Sequence, residues 1–198
     1  MPSVRVSIHL RYAVRMARLY LVRHGKASTT WEPGDFDPGL SELGRTQAEQ
    51  RAEQLAGEGP LALLSSPLRR ARETAAALER RWRRTASIDS RIGEIQPAGI
   101  APERRREWLR AILQSRWSGL GQALERWRNN VLEALMGIDE DTVVFSHFVA
   151  INVAVGFALG DDRVACFHPA NCSCTLLEVE GRQFRILELG QADEAGML

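Results

Sequence analysis

Short apolar runs alternate with amphipathic stretches from residue 19 almost to the end of the chain. Leu19-Tyr20-Leu21-Val22 reads as a buried strand, followed by a polar loop holding Pro33, Gly34, Pro38 and Gly39. Ser41 predicts the N-cap of a helix from about Glu42 to Ala56, with Leu43, Gln47, Ala48, Leu55 and Ala56 near one face. Gly57, Gly59 and Pro60 stop it, and Leu61 to Leu64 is a second strand. Ser66 then predicts a cap with Pro67 at the first helical position, and Leu68, Ala71, Ala75 and Leu78 form the apolar stripe. Thr85 to Ile88 reads as a weaker strand. Helical patterns cover about Glu103 to Arg116 and Gln122 to Met136, the latter ended by Gly137. Thr142 to Ser146 is strongly β-prone and leads through His147 into an apolar helix reaching Leu159. Cys174 to Glu180 and Gln183 to Leu189 read as strands joined at Gly181. Strands alternating with helices predict an α/β domain around a mostly parallel central sheet.

Composition narrows the class without deciding the function. Hydrophobic residues at 44% and charged residues at 26% of 198 are globular values, which exclude general disorder. The longest apolar candidate, Phe148 to Leu159, is interrupted by Asn152 and Gly156 and falls short of the ~20 residues of a membrane span. A net charge of +1 argues against a dedicated nucleic-acid binder. Cys166, Cys172 and Cys174 match neither a CxxC pair nor a zinc ribbon, so they are expected as buried free thiols in a reducing, cytoplasmic setting. Cys172 and Cys174, two apart in a strand-like run, are expected on one sheet face. Residues 1–18 are expected as an N-terminal extension, with Met16 as an alternative start, and 191–198 as a tail. Residues 19–190 are then a single domain with a helical lid over about 95–138.

The informative polar residues fall just beyond the strands. Arg23 and His24 follow the first, Arg70 lies beyond the second, Glu94 follows the third and His147 follows the fourth. Ligands of an open parallel sheet bind outside the carboxyl ends of its strands, so four segments converge on one edge. Two imidazoles, two guanidiniums and one carboxyl make a phosphate-handling set: nucleophile, positive cradle and proton donor. Singly, each has a plainer explanation: a hydrogen-bonded structural histidine, a solvated helix charge or a surface acid. His9 and His168 lack such placement and are expected to be structural. No His/Cys/Asp/Glu spacing supports a metal site.

The same residues carry a resemblance. Leu21-Val22-Arg23-His24-Gly25 is similar to the RHG signature of the histidine phosphatase superfamily, which includes the cofactor-dependent phosphoglycerate mutases. The similarity runs in order through Asp37 to Ala48, Ser65 to Ala75, Asp89 to Ile95, Val143 to His147 and Asn171 to Thr175. It implies a phosphoglycerate mutase-like three-layer α/β/α sandwich and metal-independent phosphoryl transfer without a cofactor. The nucleophile would be His24, the charge-stabilising groups Arg23, Arg70 and His147, and the acid Glu94. Three positions depart from the family's pattern: Ala27, Thr30 and Phe148. Ala27 stands near its usual Thr, leaving Ser28, Thr29 or Thr30 to supply a secondary phosphate contact. Phe148 stands where Gly is usual, narrowing the pocket. Ala27 also resembles the small phosphohistidine phosphatases of the SixA type, which commonly lack an acid like Glu94.

The expected function is therefore phosphomonoester hydrolysis through a phosphohistidine on His24. The alternatives are mutase-type transfer, a SixA-like protein phosphohistidine phosphatase and a non-catalytic phospholigand-binding module. Only about fifty residues separate Glu94 from His147, and a compact lid lets water reach the phosphohistidine. The expected partner is a small phosphorylated metabolite or a phosphoprotein, with neither nucleic acid nor membrane; no oligomeric state follows. The 26 basic residues include one Lys, Lys26, and ten of the Arg lie in residues 80–116 against four acids. That segment is expected either to favour anionic substrates or to be solvated helix faces.

Overall fold

The computed structural model describes residues 16–28, 37–97, 99–101 and 104–193. Its first strand, β1 (Met16–Arg23), sorts its side chains by alternation. Leu19 and Leu21 enter one apolar cluster, and Tyr20 and Val22 enter another on the opposite face. The fourth strand, β4 (Thr142–Ser146), does the same: Val144 joins the first cluster, while Val143 and Phe145 join the second. A sheet buried on both sides needs a helical layer on each, which is the three-layer sandwich expected.

The strands run β3-β2-β4-β1-β5-β6, with β2 at Ala62–Ser65, β3 at Ser87–Ile88, β5 at Cys174–Glu180 and β6 at Gln183–Glu188. β3, β2, β4 and β1 are mutually parallel, whereas β5 and β6 add antiparallel. The sheet is thus mostly parallel, and the carboxyl ends of its four parallel strands share one edge. Helices α1 (Glu42–Leu55) and α2 (Arg69–Trp82) cover the second cluster. Helices α4 (Gln122–Met136) and α5 (Phe148–Leu159) cover the first. Between β3 and α4 lies α3 (Arg105–Leu113), whose Ile112 is buried in the first cluster. Both helices of the segment expected as a lid therefore pack on the sheet's core. Among the described residues, no helix is long and apolar enough to cross a membrane.

Several expectations shift. Residues 16–18, assigned to the extension, belong to β1, where they pair with Glu178, Val179 and Glu180 of β5. Residues 1–15 lie outside the described set. The buried face of α1 is Gly44, Ala48, Ala52 and Leu55, while Leu43 is exposed. Ser41 does cap α1, accepting from the Gly44 N–H at 3.0 Å. Ser66 and Pro67, by contrast, precede α2, whose N-cap is Leu68. That helix is capped from another segment: the Asp37 carboxylate accepts from the Arg69 N–H at 2.8 and 3.0 Å. Cys172 is not in a strand but has φ +56°, in a turn before β5. Within the expected tail, Ala170 N–H donates to Gln191 O and Asp193 N–H to His168 O, so residues 191–193 are tied to the body.

Two glycines permit the close approach on which the site depends. A Cβ on Gly25 would lie 2.5 Å from the Gly44 carbonyl oxygen, and one on Gly44 would overlap the Lys26 backbone. The segment after β1 can therefore lie directly on the start of α1, reinforced by Lys26 N–H donating to Gln47 Oε1 at 2.9 Å.

Candidate active site

Four chain segments leave the parallel edge and meet there. His24 is anchored by its backbone: its N–H donates to Ser146 O at 3.0 Å, and its carbonyl accepts from Asn171 Nδ2 at 2.9 Å. The turn carrying Cys172 closes on the same point, since Cys172 N–H donates to Arg23 O and Arg23 N–H donates to Ser173 O. On the other side, Gly25 N–H donates to Thr74 Oγ1, whose hydroxyl donates to Arg70 O at 2.7 Å. The Arg23–Gly25 segment is thereby clamped to β4, to the 171–173 turn and to α2.

The His24 ring is held in one tautomer. Its Nδ1 lies 2.7 Å from Gly25 O. A carbonyl oxygen only accepts, so Nδ1 carries the proton and Nε2 holds the free lone pair. Arg70 Nε lies 3.2 Å from Nε2 and donates to that lone pair. Burial, then the Arg70 and Arg23 charges, lower the His24 pKa to about 3, so the ring is neutral at ordinary pH. His147 is fully buried, with its ring centroid 5.1 Å from that of His24. Burial, His24 and the two arginines hold it well below the usual histidine range.

Arg23 and Arg70 are both part-buried, and burial lowers both guanidinium pKa values while the Glu94 carboxyl acts in the opposite sense. Arg23 donates to Pro169 O at 2.7 Å, and its buried Nε has no partner among the described residues. Arg70 also lies 3.7 Å from Asp37, the cap of its own helix. Glu94 hangs between two backbone donors, Ile95 N–H at 3.0 Å and Val149 N–H, in the first turn of α5, at 3.5 Å. Burial raises its pKa; the Ile95 N–H, the arginines and the Val149 N–H oppose that shift. Ser146 Oγ donates to Ile92 O at 2.7 Å and ties the acid's segment to β4.

The five residues expected to act together are thus brought together. Phe148 is beside them, its ring 5.3 Å from the Arg23 guanidinium carbon and 5.5 Å from the His168 ring. Ser28 donates its N–H to Gly39 O at 2.9 Å, a backbone role in the loop. Thr29 and Thr30 lie outside the described residues. Asp37, Ser66, Thr74 and Asn171 are supporting groups that the reading of single residues missed. Their signal was positional, since all four sit inside the ordered motif segments. The arginine-rich segment is partly neutralised locally: Arg80 pairs with Glu49, Arg81 with Glu53 at 3.8 Å, and Arg91 with Asp89 at 2.6 Å. Cys172 and Cys174 are free thiols that burial pushes up to about 12, which leaves them unreactive.

The neutral histidines link the site to stability. A folded-state pKa near 3 against an unfolded value of 6.5 means that the unfolded chain binds the proton first. His24 therefore costs the fold nothing above pH 6.5 and destabilises it progressively as pH falls towards 3, by up to about 1.4 kcal/mol per pH unit. His147, also lowered, acts in the same sense, while Glu94, raised, opposes it above its unfolded value. Denaturant melts of wild type and His24→Gln between pH 7 and pH 5 should show the steeper loss in the wild type. Equal slopes would contradict a neutral buried His24.

Two guanidiniums, one preset nitrogen lone pair and one raised carboxyl gathered at the parallel edge suit transfer of a phosphoryl group. A family model described as the histidine phosphatase superfamily (branch 1) matches residues 19–192. The glucosyl-3-phosphoglycerate phosphatase of Mycolicibacterium vanbaalenii is 44% identical over 84 residues, covering 41% of this chain and 37% of that protein. Phosphoserine phosphatase 1 of Hydrogenobacter thermophilus is 30% identical over 197 residues, covering 88% of this chain and 92% of its own. Among solved structures, a mycobacterial glucosyl-3-phosphoglycerate phosphatase superposes with a TM-score of 0.63 at 26% identity, over 90% of this chain and all of its own.

Proposed function

Because the chain belongs to the histidine phosphatase superfamily (branch 1), we propose that it hydrolyses phosphomonoesters of small metabolites through a phosphohistidine on His24. The observation that carries this reading is the state of the His24 ring: Nδ1 donates to Gly25 O, and Nε2 presents its lone pair to the Arg70 side of the pocket.

In the first half-reaction, Nε2 attacks phosphorus in line and the bond to the leaving oxygen breaks. Arg70 Nε–H turns from Nε2 to a nonbridging oxygen, joined there by Arg23 and His147. Their positions are held before substrate arrives, so little reorganisation opposes the charge that develops. Protonated Glu94 gives its proton to the leaving oxygen. In the second half-reaction, Glu94 takes a proton from water, the water oxygen attacks phosphorus, and the P–N bond returns its electron pair to Nε2. Burial of Glu94 supports the first step by favouring the acid form, and the two backbone N–H groups support the second by holding the carboxylate.

Two relatives named for phosphatase activities support hydrolysis over mutase transfer, and the substrates in their names are small phosphate esters carrying a further carboxylate. A cytoplasmic location accompanies the proposal, supported by the free thiols. The test is a turnover assay in EDTA, first with an aryl phosphate, then with a panel including phosphoserine, glucosyl-3-phosphoglycerate, and 3-phosphoglycerate with its bisphosphate primer. Phosphate release from one of the esters is expected. Mutase turnover without release would favour the transfer enzyme, and binding without either reaction would favour a phospholigand module.

A further inference from the structure

We propose that Ser66 sets the tautomer of His147 and so makes this ring an N–H donor to the phosphoryl group while it is still neutral. The proposal rests on the phosphoryl-transfer reading above, and it assigns Ser66 a positioning role.

Ser66 follows β2 and is fully buried, as is His147, which follows β4. Its Oγ lies 2.8 Å from His147 Nε2. Either group could supply the hydrogen, and three observations favour the hydroxyl. First, Ser66 Oγ already accepts from Leu68 N–H at 3.2 Å. Were it to accept from Nε2–H as well, the buried O–H would have no acceptor that the structure provides. Donation to the Nε2 lone pair satisfies the hydroxyl completely, as buried polar groups require. Second, the other ring nitrogen, Nδ1, is buried and has no partner among the described residues in either tautomer, so Ser66 donation leaves one unsatisfied group in the pair and the reverse direction leaves two. With Nε2 accepting, a neutral ring must carry its proton on Nδ1. Third, the surroundings forbid the doubly protonated alternative: burial, His24 and the Arg70 and Arg23 charges all disfavour the imidazolium.

The opposite tautomer would turn a lone pair towards the anionic oxygens, which is repulsive. With Ser66 donating, Nδ1–H, like the Arg23 Nε–H, is an unsatisfied donor at the site and gains an acceptor when a phosphoryl oxygen arrives. The two histidines are then protonated on the same ring nitrogen for opposite ends. In His24, Gly25 O holds the proton on Nδ1 so that Nε2 can attack. In His147, Ser66 holds Nε2 so that Nδ1–H can donate. Ser66 itself is kept in place by its neighbour, because Ser65 Oγ donates to Ser66 O at 2.9 Å.

Long-range proton–nitrogen NMR of the 15N-labelled protein tests this directly, with the His147 signals assigned by comparison with His147→Gln. The expected wild-type pattern is a protonated Nδ1 and an unprotonated Nε2 on His147. In Ser66→Ala, the ring should become a mixture of both neutral tautomers, while the His24 signals stay as in the wild type. Ser66→Ala should also lower kcat/KM for a phosphate ester by about 2- to 10-fold, because only part of the ring population then carries the donor, and Ser66→Thr should restore the single tautomer. A protonated Nε2 in the wild type overturns the proposal, as does Ser66→Ala retaining a pure Nδ1–H ring. The wild-type spectrum decides the tautomer even if Ser66→Ala does not fold. It also requires no turnover, so absence of hydrolysis would count against the proposed function while the Ser66 assignment is read separately.

Discussion

His24→Ala is expected to lower kcat/KM for phosphate release by at least about 10^4-fold, the scale on which removing a covalent nucleophile acts. The substitution removes the only ring nitrogen that Arg70 Nε addresses, and with it the atom on which the phosphoryl group would reside. Folding should survive, because the backbone bonds of residue 24 to Ser146 O and Asn171 Nδ2 do not involve the imidazole. Two measurements separate nucleophile from binding group. Brief exposure of wild type to 32P-labelled substrate followed by alkaline quench should leave acid-labile label on the protein, and the variant should carry none. Orthovanadate should still bind the variant through Arg23, Arg70 and His147, with affinity reduced by less than the rate. Undiminished phosphate release would falsify the assignment of His24.

Glu94→Gln should separate substrates by their leaving groups. The amide still accepts from the Ile95 N–H through its oxygen but has no proton to give the departing oxygen. Alkyl phosphates, whose alkoxide leaves poorly, should slow by about 10^2- to 10^4-fold, the usual contribution of a positioned acid. Aryl phosphates with acidic phenols should lose less than about 10-fold in the transfer step. A pre-steady-state burst of phenol would then report slow hydrolysis of the phosphohistidine, since Glu94 also serves as the base for water. Equal slowing across a series of leaving groups would remove Glu94 from the acid role. The pH profile carries the same information: burial raises the Glu94 pKa, so the acidic limb of the wild type should persist to higher pH than an exposed glutamate allows and be absent in the variant.

The linear pattern was enough to locate most elements. Thr142–Ser146 and Gln122–Met136 were legible to the residue because both carry strong local signals: an unbroken β-prone run and an amphipathic repeat closed by Gly137. The errors fell where a partner distant in sequence decides the outcome. Ser66 next to Pro67 looks like a helix cap, but α2 takes its cap from the Asp37 carboxylate, and that frees the Ser66 hydroxyl for His147. Leu43 looks like a core residue, yet α1 turns its small residues inward because the Lys26 backbone lies against Gly44. Met16 to Arg18 look like the end of an N-terminal extension until β5 is present to pair with them. None of these partners lies within the window that sets a local propensity.

The chemistry divides along the same line. The residue types and their order determined which groups are available: two histidines, two arginines and a glutamate, each just beyond a strand of a sheet whose parallel strands end on one edge. Only the tertiary structure decided what those groups are. One ring has Nδ1 occupied by Gly25 O, which leaves the Nε2 lone pair that the proposed attack needs, and the other has Nε2 occupied by Ser66, as the proposed donor needs. Burial raises the carboxyl against the pull of two arginines, as the proposed acid role needs. Proton position depends on the dielectric and on contacts within a few ångströms, and folding brings the partners of one ring, Ser66 and His147, together across 81 residues of chain.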